Sequence, residues 1–193
     1  MAFGSSITDS DLWTYEVQRG VAARVPMEGQ QVIPVWTPDG SRLAFSSSVG
    51  REVVGPMLLI DPDGRSPAEQ LTTTSVTGYP GSWTPDGRAL AFTAVVSQPG
   101  IWVASRDPKT EPRQLLSEGM APDLSADGRW LAYNSTGSLQ QRILPQVYVQ
   151  PYPALDRRAQ VSIQGGINPA WRRDGREMYY LQIDSDRSHP AAR

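Results

Sequence analysis

Four aspartates recur with a glycine directly after them: Asp39-Gly40, Asp86-Gly87, Asp127-Gly128 and Asp174-Gly175. Carboxylates are hard oxygen ligands and acid–base groups, so a ring of them could hold a cation. Their context points to a different job. Each closes a turn phrase: Trp36-Thr37-Pro38-Asp39-Gly40, Trp83-Thr84-Pro85-Asp86-Gly87, Leu124-Ser125-Ala126-Asp127-Gly128 and Trp171-Arg172-Arg173-Asp174-Gly175. Proline presets φ for a type I turn, Asp bonds the local backbone, and Gly takes the left-handed position that closes a bulged hairpin. These eight residues therefore read as a structural turn motif. Asp61-Pro62-Asp63-Gly64 could open a calcium loop, but its glycine stands at the wrong place and no bidentate Glu follows at the required distance. It reads as another hairpin turn.

Other chemistry is sparse. Histidine occurs once, at His189 in a polar tail, so a histidine-based triad is not expected. There is no Gly-x-Ser-x-Gly elbow, no Gly-x-x-x-x-Gly-Lys phosphate loop and no set of kinase motifs. Without cysteine, disulfides and thiolate metal sites are excluded. The expectation is a non-catalytic chain with no cofactor and no metal. Asn134-Ser135-Thr136 has the glycosylation form, and Arg157-Arg158 and Arg172-Arg173 read as solvated charges.

The elements that carry these turns follow from their spacing. The four aspartates lie at intervals of 47, 41 and 47 residues, the period of four-stranded propeller blades. Four positions past each stands an aliphatic residue (Leu43, Leu90, Leu131, Met178) and six past it an aromatic (Phe45, Phe92, Tyr133, Tyr180). Between them stands Ala44, Ala91, Ala132 or Tyr179, so one strand face is bulky and the other mostly small, as suits sheets stacked face to face. Before each turn a strand contains Pro34, Pro80, Pro122 or Pro169; proline cannot donate to a ladder, which puts this strand at a sheet edge, the innermost position of a blade. Third strands are predicted at 57–60, 101–104 and 147–150, and fourth strands at 70–73, 114–116 and 160–163.

The fold class is thus all-β: a β-propeller of four-stranded antiparallel blades, with four blades' worth of strands. The chain opens with a third and fourth strand (12–17, 21–25) and closes with a first and second (167–171, 177–182). Two readings stay open, a four-bladed ring of sixteen strands closed by a clasp between the termini, or part of a six- to seven-bladed propeller. Residues 1–11 read as a leader, 12–183 as the repeats and 184–193 as a polar tail. The net charge of −2, from 18 basic and 20 acidic residues, offers no attraction to nucleic acid or to an anionic membrane. No basic-then-apolar signal pattern opens the chain and no apolar run is long enough to span a bilayer, so no direct membrane contact is expected.

The phrase Pro-x-Trp-Thr-Pro-Asp-Gly with Leu-Ala-Phe after it, residues 34–45, resembles the WD-like repeat of TolB-type propellers, and the likeness extends over 12–182. A narrower likeness runs through Ser125-Ala126-Asp127-Gly128-Arg129-Trp130-Leu131-Ala132-Tyr133, then Val147-Tyr148-Val149-Gln150-Pro151-Tyr152-Pro153, then Trp171-Arg172-Arg173-Asp174-Gly175-Arg176-Glu177. It looks like the C-terminal propeller of certain bacterial serine/threonine protein kinases, which implies an extracytoplasmic, periplasmic sensing or binding domain. The repeat also resembles the gating propeller of prolyl-oligopeptidase-type peptidases. Departures exist: Ala126 and Arg173 replace the turn proline and Leu124 replaces the tryptophan. The expected role is an interaction module that binds a protein or peptide at the channel mouth; the alternative is the regulatory propeller of a multidomain kinase or peptidase. Trp36, Trp83 and Trp171 recur and should pack between blades. Binding aromatics should break the pattern, which singles out Tyr79, Trp102 and Tyr152.

Overall fold

A computed structural model describes residues 2–4, 11–48, 54–72, 76–107, 109–138, 141 and 143–183. All its regular elements are strands, and among the described residues no helix is long and apolar enough to cross a membrane. The chain divides into two compact units, Met1–Glu118 and Gly119–Arg193.

The first unit contains three antiparallel sheets. One comprises β1 (Ala2–Gly4), β2 (Leu12–Glu16) and β3 (Val21–Arg24) in that order. The next runs β4 (Gln30–Trp36), β5 (Leu43–Ser48), β6 (Met57–Ile60), β7 (Glu69–Gln70), and the third runs β8 (Gly78–Trp83), β9 (Ala89–Ala94), β10 (Gly100–Ser105), β11 (Arg113–Leu116). In the second unit β12 (Met120–Leu124), β13 (Trp130–Asn134), β14 (Val147–Pro151) and β15 (Ala159–Gln160) form a full blade, and β16 (Ile167–Trp171) pairs with β17 (Met178–Leu181). Every strand bearing the repeat proline, β4, β8, β12 and β16, lies at the edge of its sheet, where a missing N–H costs no ladder bond.

The alternation along the second strands explains the core. Leu43, Phe45, Leu90, Phe92, Leu131 and Tyr133 are fully buried, as are Ala44, Ala91 and Ala132 between them. Residue Ala44 of β5, with Met57 and Leu59 of β6, forms one cluster with Trp83, Leu90, Phe92 and Trp102 of the following sheet. The opposite, bulky face of β5, with Leu43, Phe45 and Ile60, meets Leu12 and Val25 of the preceding sheet, and Trp36 packs beside them. Small face receives bulky face, so adjacent blades interlock, and each buried aliphatic or aromatic side chain contributes about 1.5–3 kcal/mol. Trp36 and Trp83 pack between blades as the repetition implied.

Three features differ from the sequence reading. Residues 2–4, placed in the leader, form β1, which pairs Ala2 with Thr14 and Gly4 with Leu12. The clasp of the sixteen-strand ring needs that same edge of β2, and β1 takes it. The fourth strands β7 and β15 are two residues long, shorter than the predicted 70–73 and 160–163. A hydroxyl ends them: Thr72 Oγ1 accepts from the Met57 N–H at 2.9 Å and Ser162 Oγ from the Val147 N–H at 2.8 Å, taking the donor that a further strand residue would use. Finally, each proline-bearing strand is bulged at its proline, with register shifts between Val32/Val35, Pro80/Ser82, Met120/Asp123 and Ile167/Ala170. The bulge places Ile33 (φ 54°), Ala121 (φ 52°) and Asn168 (φ 51°) in the left-handed region, each directly before the proline.

Candidate functional site

The repeated Asp-Gly turns are built identically in three copies. Gly40, Gly87 and Gly128 have φ of 69°, 67° and 69°, and each donates its N–H to the residue three before it at 2.8 Å: Thr37, Thr84 and Ser125. That residue's hydroxyl donates to the aspartate Oδ1 at 2.6 Å and accepts the N–H of Arg42, Ala89 or Trp130 at 3.0 Å. The carboxylate also accepts the N–H two residues on, from Ser41, Arg88 or Arg129. In the fourth copy Arg172 stands where the hydroxyl was. Its guanidinium pairs with Asp174 at 3.3 Å and with Glu177 at 2.8 Å, while Gly175 keeps φ at 69°. The Arg172 side chain is thus committed to the turn. The Asp61 turn behaves likewise: Gly64 donates to the Asp61 carbonyl, Asp63 accepts from the Arg65 N–H, and the Asp61 carboxylate pairs with the buried Arg42 at 3.0 Å.

This bonding sets the acidity of the turns. The Thr37 hydroxyl, then the Ser41 N–H and hydroxyl, hold the Asp39 carboxyl down at about 2; the Ser125 hydroxyl, then the Arg129 N–H and guanidinium, do the same to Asp127. Asp86 is lowered by the Thr84 hydroxyl and the Arg88 N–H. A carboxyl whose folded pKa lies below its ordinary 3.8 stabilises the fold fully above that value, and the contribution disappears as pH falls toward about 2. Thr37→Val removes the strongest of these bonds. A carboxylate NMR titration is expected to show Asp39 moving up from about 2 toward 3.8 in that variant, with Asp127 unmoved.

The aromatic candidates separate. Trp102 is 8% exposed, lies in the cluster with Phe92 and Leu59, and donates its indole N–H to the Gln98 carbonyl at 3.0 Å. Its ring is used in packing, and its indole N–H is bonded within its own sheet's loop. Tyr152 follows β14, and its N–H bonds the Arg129 carbonyl at 2.8 Å, so it stands at the Asp-Gly end of its blade. Tyr79 is the second residue of β8, at the other end of its own blade, half-buried and directly before Pro80.

The position before each repeat proline was singled out only at Tyr79. Its counterparts are Ile33, Ala121 and Asn168, and all four lie on strands at the edge of their sheets. Ile33 is 48% exposed, and a β-branched residue in the left-handed region stores strain. Within the second unit, two side chains from β12 and β13 grip β16: Asp123 accepts from the Trp171 N–H at 2.6 Å and Asn134 from the Asn168 N–H at 3.1 Å. Sequence reasoning passed over Asp123 and took Asn134 only as the start of a triplet of glycosylation form; the only signal for their grip was a carboxylate and an amide at positions that other copies fill with Val35 or Ser82 and with Ser46 or Thr93. Nearby on β14, Tyr148 stacks on Tyr133 at 5.8 Å, and Arg158, read as a solvated charge, lies 4.4 Å above the Tyr148 ring.

No protein-family model matches this chain, and neither does any curated protein sequence. Solved structures do match. A putative TolB from Agrobacterium tumefaciens aligns with a TM-score of 0.74 and 20% identity over 93% of this chain and 65% of that one. An oligogalacturonate lyase in complex with manganese aligns with a TM-score of 0.64 and 21% identity over 91% of this chain and 52% of that one. The Myceliophteria thermophila Cps50 (Swd1) β-propeller domain gives 0.58 and 14% over 95% and 66%. The chain has the blade fold of a TolB-type β-propeller, and at these identities the likeness is one of fold. It spans about half to two thirds of the length of these structures.

Proposed function

We propose that this chain is a non-catalytic binding module that takes an extended peptide segment of a protein partner against its proline-bearing edge strands. The observation behind this reading is the position before each repeat proline. The surrounding scaffold repeats, whereas this position carries Ile33, Tyr79, Ala121 and Asn168, set on bulged strands at the edge of their sheets and, in three copies, with a left-handed backbone. A strand at a sheet edge can take a strand-like ligand beside it, and variable side chains supply selectivity. Tyr79 is the aromatic anchor in this scheme, a residue type enriched among binding hot spots.

A second reading treats the chain as the regulatory propeller of a larger kinase or peptidase, placed outside the cytoplasm, with catalysis in other residues. It is favoured by the narrower likeness through residues 125–133, 147–153 and 171–177 and by the partial length relative to matching propellers. Sequencing the neighbouring reading frames separates the two, since a continuous kinase or hydrolase frame supports the second.

Panning a displayed library of short peptides on the chain tests the first reading. Enriched peptides are expected to lose about tenfold or more in affinity on Tyr79→Ala, a side chain worth at least ~1.4 kcal/mol. A failure to enrich any peptide, or turnover of a substrate by the pure chain, would overturn the proposal.

A further inference from the structure

The connection between β9 and β10 carries backbone strain at a residue that looks ordinary in the chain. Ser97 stands at φ 66°, in the left-handed region, and the Gln98 N–H donates to the Val96 carbonyl at 2.8 Å. Three residues closed in this way form a γ-turn of the rare, strained hand. Ile33, Ala121 and Asn168 take their left-handed backbone at a bulge before a proline, whereas Ser97 lies in no bulge and precedes no proline.

Such a conformation persists only where its surroundings impose it. Here they do. The Val95 N–H donates to the Thr77 carbonyl at 3.2 Å, which extends the β8–β9 ladder beyond the pairing of Gly78 with Ala94. The Trp102 indole N–H donates to the Gln98 carbonyl at 3.0 Å, and the Gln114 side-chain amide donates to the Pro99 carbonyl at 3.2 Å. At the exit, Gly100 (φ 134°) lies so close to β11 that a Cβ there would fall on the Leu116 carbonyl oxygen.

The loop is thus tied at both ends, and the side chain it displays is Val96, 48% exposed. An exposed valine alone is ordinary. One fixed beside a strained turn whose neighbours are all bonded is not, and it lies at the Tyr79 end of the blade. Thr77, bonded to Val95, is two residues before Tyr79, about 7 Å along an extended strand. A loop already held rigid loses little conformational freedom when a ligand lands on it, so more of the contact energy is kept as affinity.

We infer that Val96 is a second specificity-determining residue of the peptide site and that Trp102 is its positioning residue, acting through the Gln98 carbonyl. This role rests on peptide binding at the proline-bearing strands. It adds a statement about the ligand: the bound segment carries an apolar side chain that meets Val96, about two residues along from the one that meets Tyr79. Trp102 serves the site from inside the core without touching the ligand.

Fluorescein-labelled copies of peptides enriched by panning on the intact chain supply the test, with affinity read by fluorescence anisotropy. Val96→Asp is expected to weaken binding about tenfold or more, while the urea midpoint of this exposed position stays unchanged. Ser97→Pro, which locks φ near about −65° and abolishes the turn without touching the core, is expected to do the same. Ser97→Gly takes a positive φ freely and should stay within about twofold of the wild type. Trp102→Phe keeps a ring in the core and removes the donor. It is expected to cost about fivefold in the wild-type background and almost nothing in a Val96→Ala background, where there is nothing left to position. An equal loss in both backgrounds would overturn the role of Trp102. Peptides that need Tyr79 yet bind Val96→Asp and Ser97→Pro as tightly as the wild type would overturn the inference and leave peptide binding standing. No enriched peptide at all would overturn both.

Discussion

Phe92→Ala is expected to lower the free energy of unfolding by about 3–5 kcal/mol, measured from the urea midpoint by tryptophan fluorescence. Phe92 is fully buried in the centre of β9 and shares its cluster with Ala44, Met57 and Leu59 of the preceding blade. Truncation removes the ring from a site whose facing residue is an alanine, so nothing large on the opposite strand can fall into the space. The cost is then the lost transfer energy plus a cavity that stays open. Against a total stability of about 5–15 kcal/mol, such a loss uncouples two blades as well as weakening one. The same truncation at Tyr179, 59% exposed, should stay within about 0.5 kcal/mol. If Phe92→Ala cost less than about 1 kcal/mol, the interlocking of small and bulky faces would be wrong.

Gly78→Ala is expected to cost about 1–3 kcal/mol or more, although it adds a single methyl group. A Cβ at this position falls on the Thr93 carbonyl oxygen and lies 2.8 Å from its carbon and 2.9 Å from the Ala94 Cα. These are backbone atoms of the partner strand, which cannot retreat without breaking the pairing of Gly78 with Ala94 and of Tyr79 with Thr93. The variant should therefore lose amide protection at Val95, whose N–H donates to the Thr77 carbonyl, and displace Tyr79 from its edge position. Peptide affinity would fall with Tyr79 itself unaltered. Gly40→Ala is the informative contrast. A Cβ there meets nothing within 4 Å, so the cost is only that of holding an L-residue at φ 69°, about 1–2 kcal/mol. Equal effects of the two substitutions would show that strand contact at Gly78 is not the source of its cost.

Legibility followed the range of the forces involved. The Asp-Gly turns could be read directly because their hydroxyl, carboxylate and amide partners all lie within six residues of one another. The burial of Leu43, Phe45, Leu90 and Phe92 followed from alternation with period two, and the edge placement of β4, β8, β12 and β16 from the missing N–H of one proline in each. Tyr79 was found because it interrupts a repeated phrase. Its counterpart Ile33 was overlooked because an isoleucine in a strand looks ordinary until the bulge turns its backbone left-handed.

By itself the sequence determined the repeat, the type of each turn, the two-faced strands and the blade architecture, since each depends on residue types a few positions apart. Only the tertiary structure decided that β1 occupies the edge of β2, that Trp102 is consumed by the core, and that Asp123 holds Trp171 from 48 residues away. Such features arise from which strand lies next to which, a choice made by packing across the whole unit and therefore absent from any local stretch of chain.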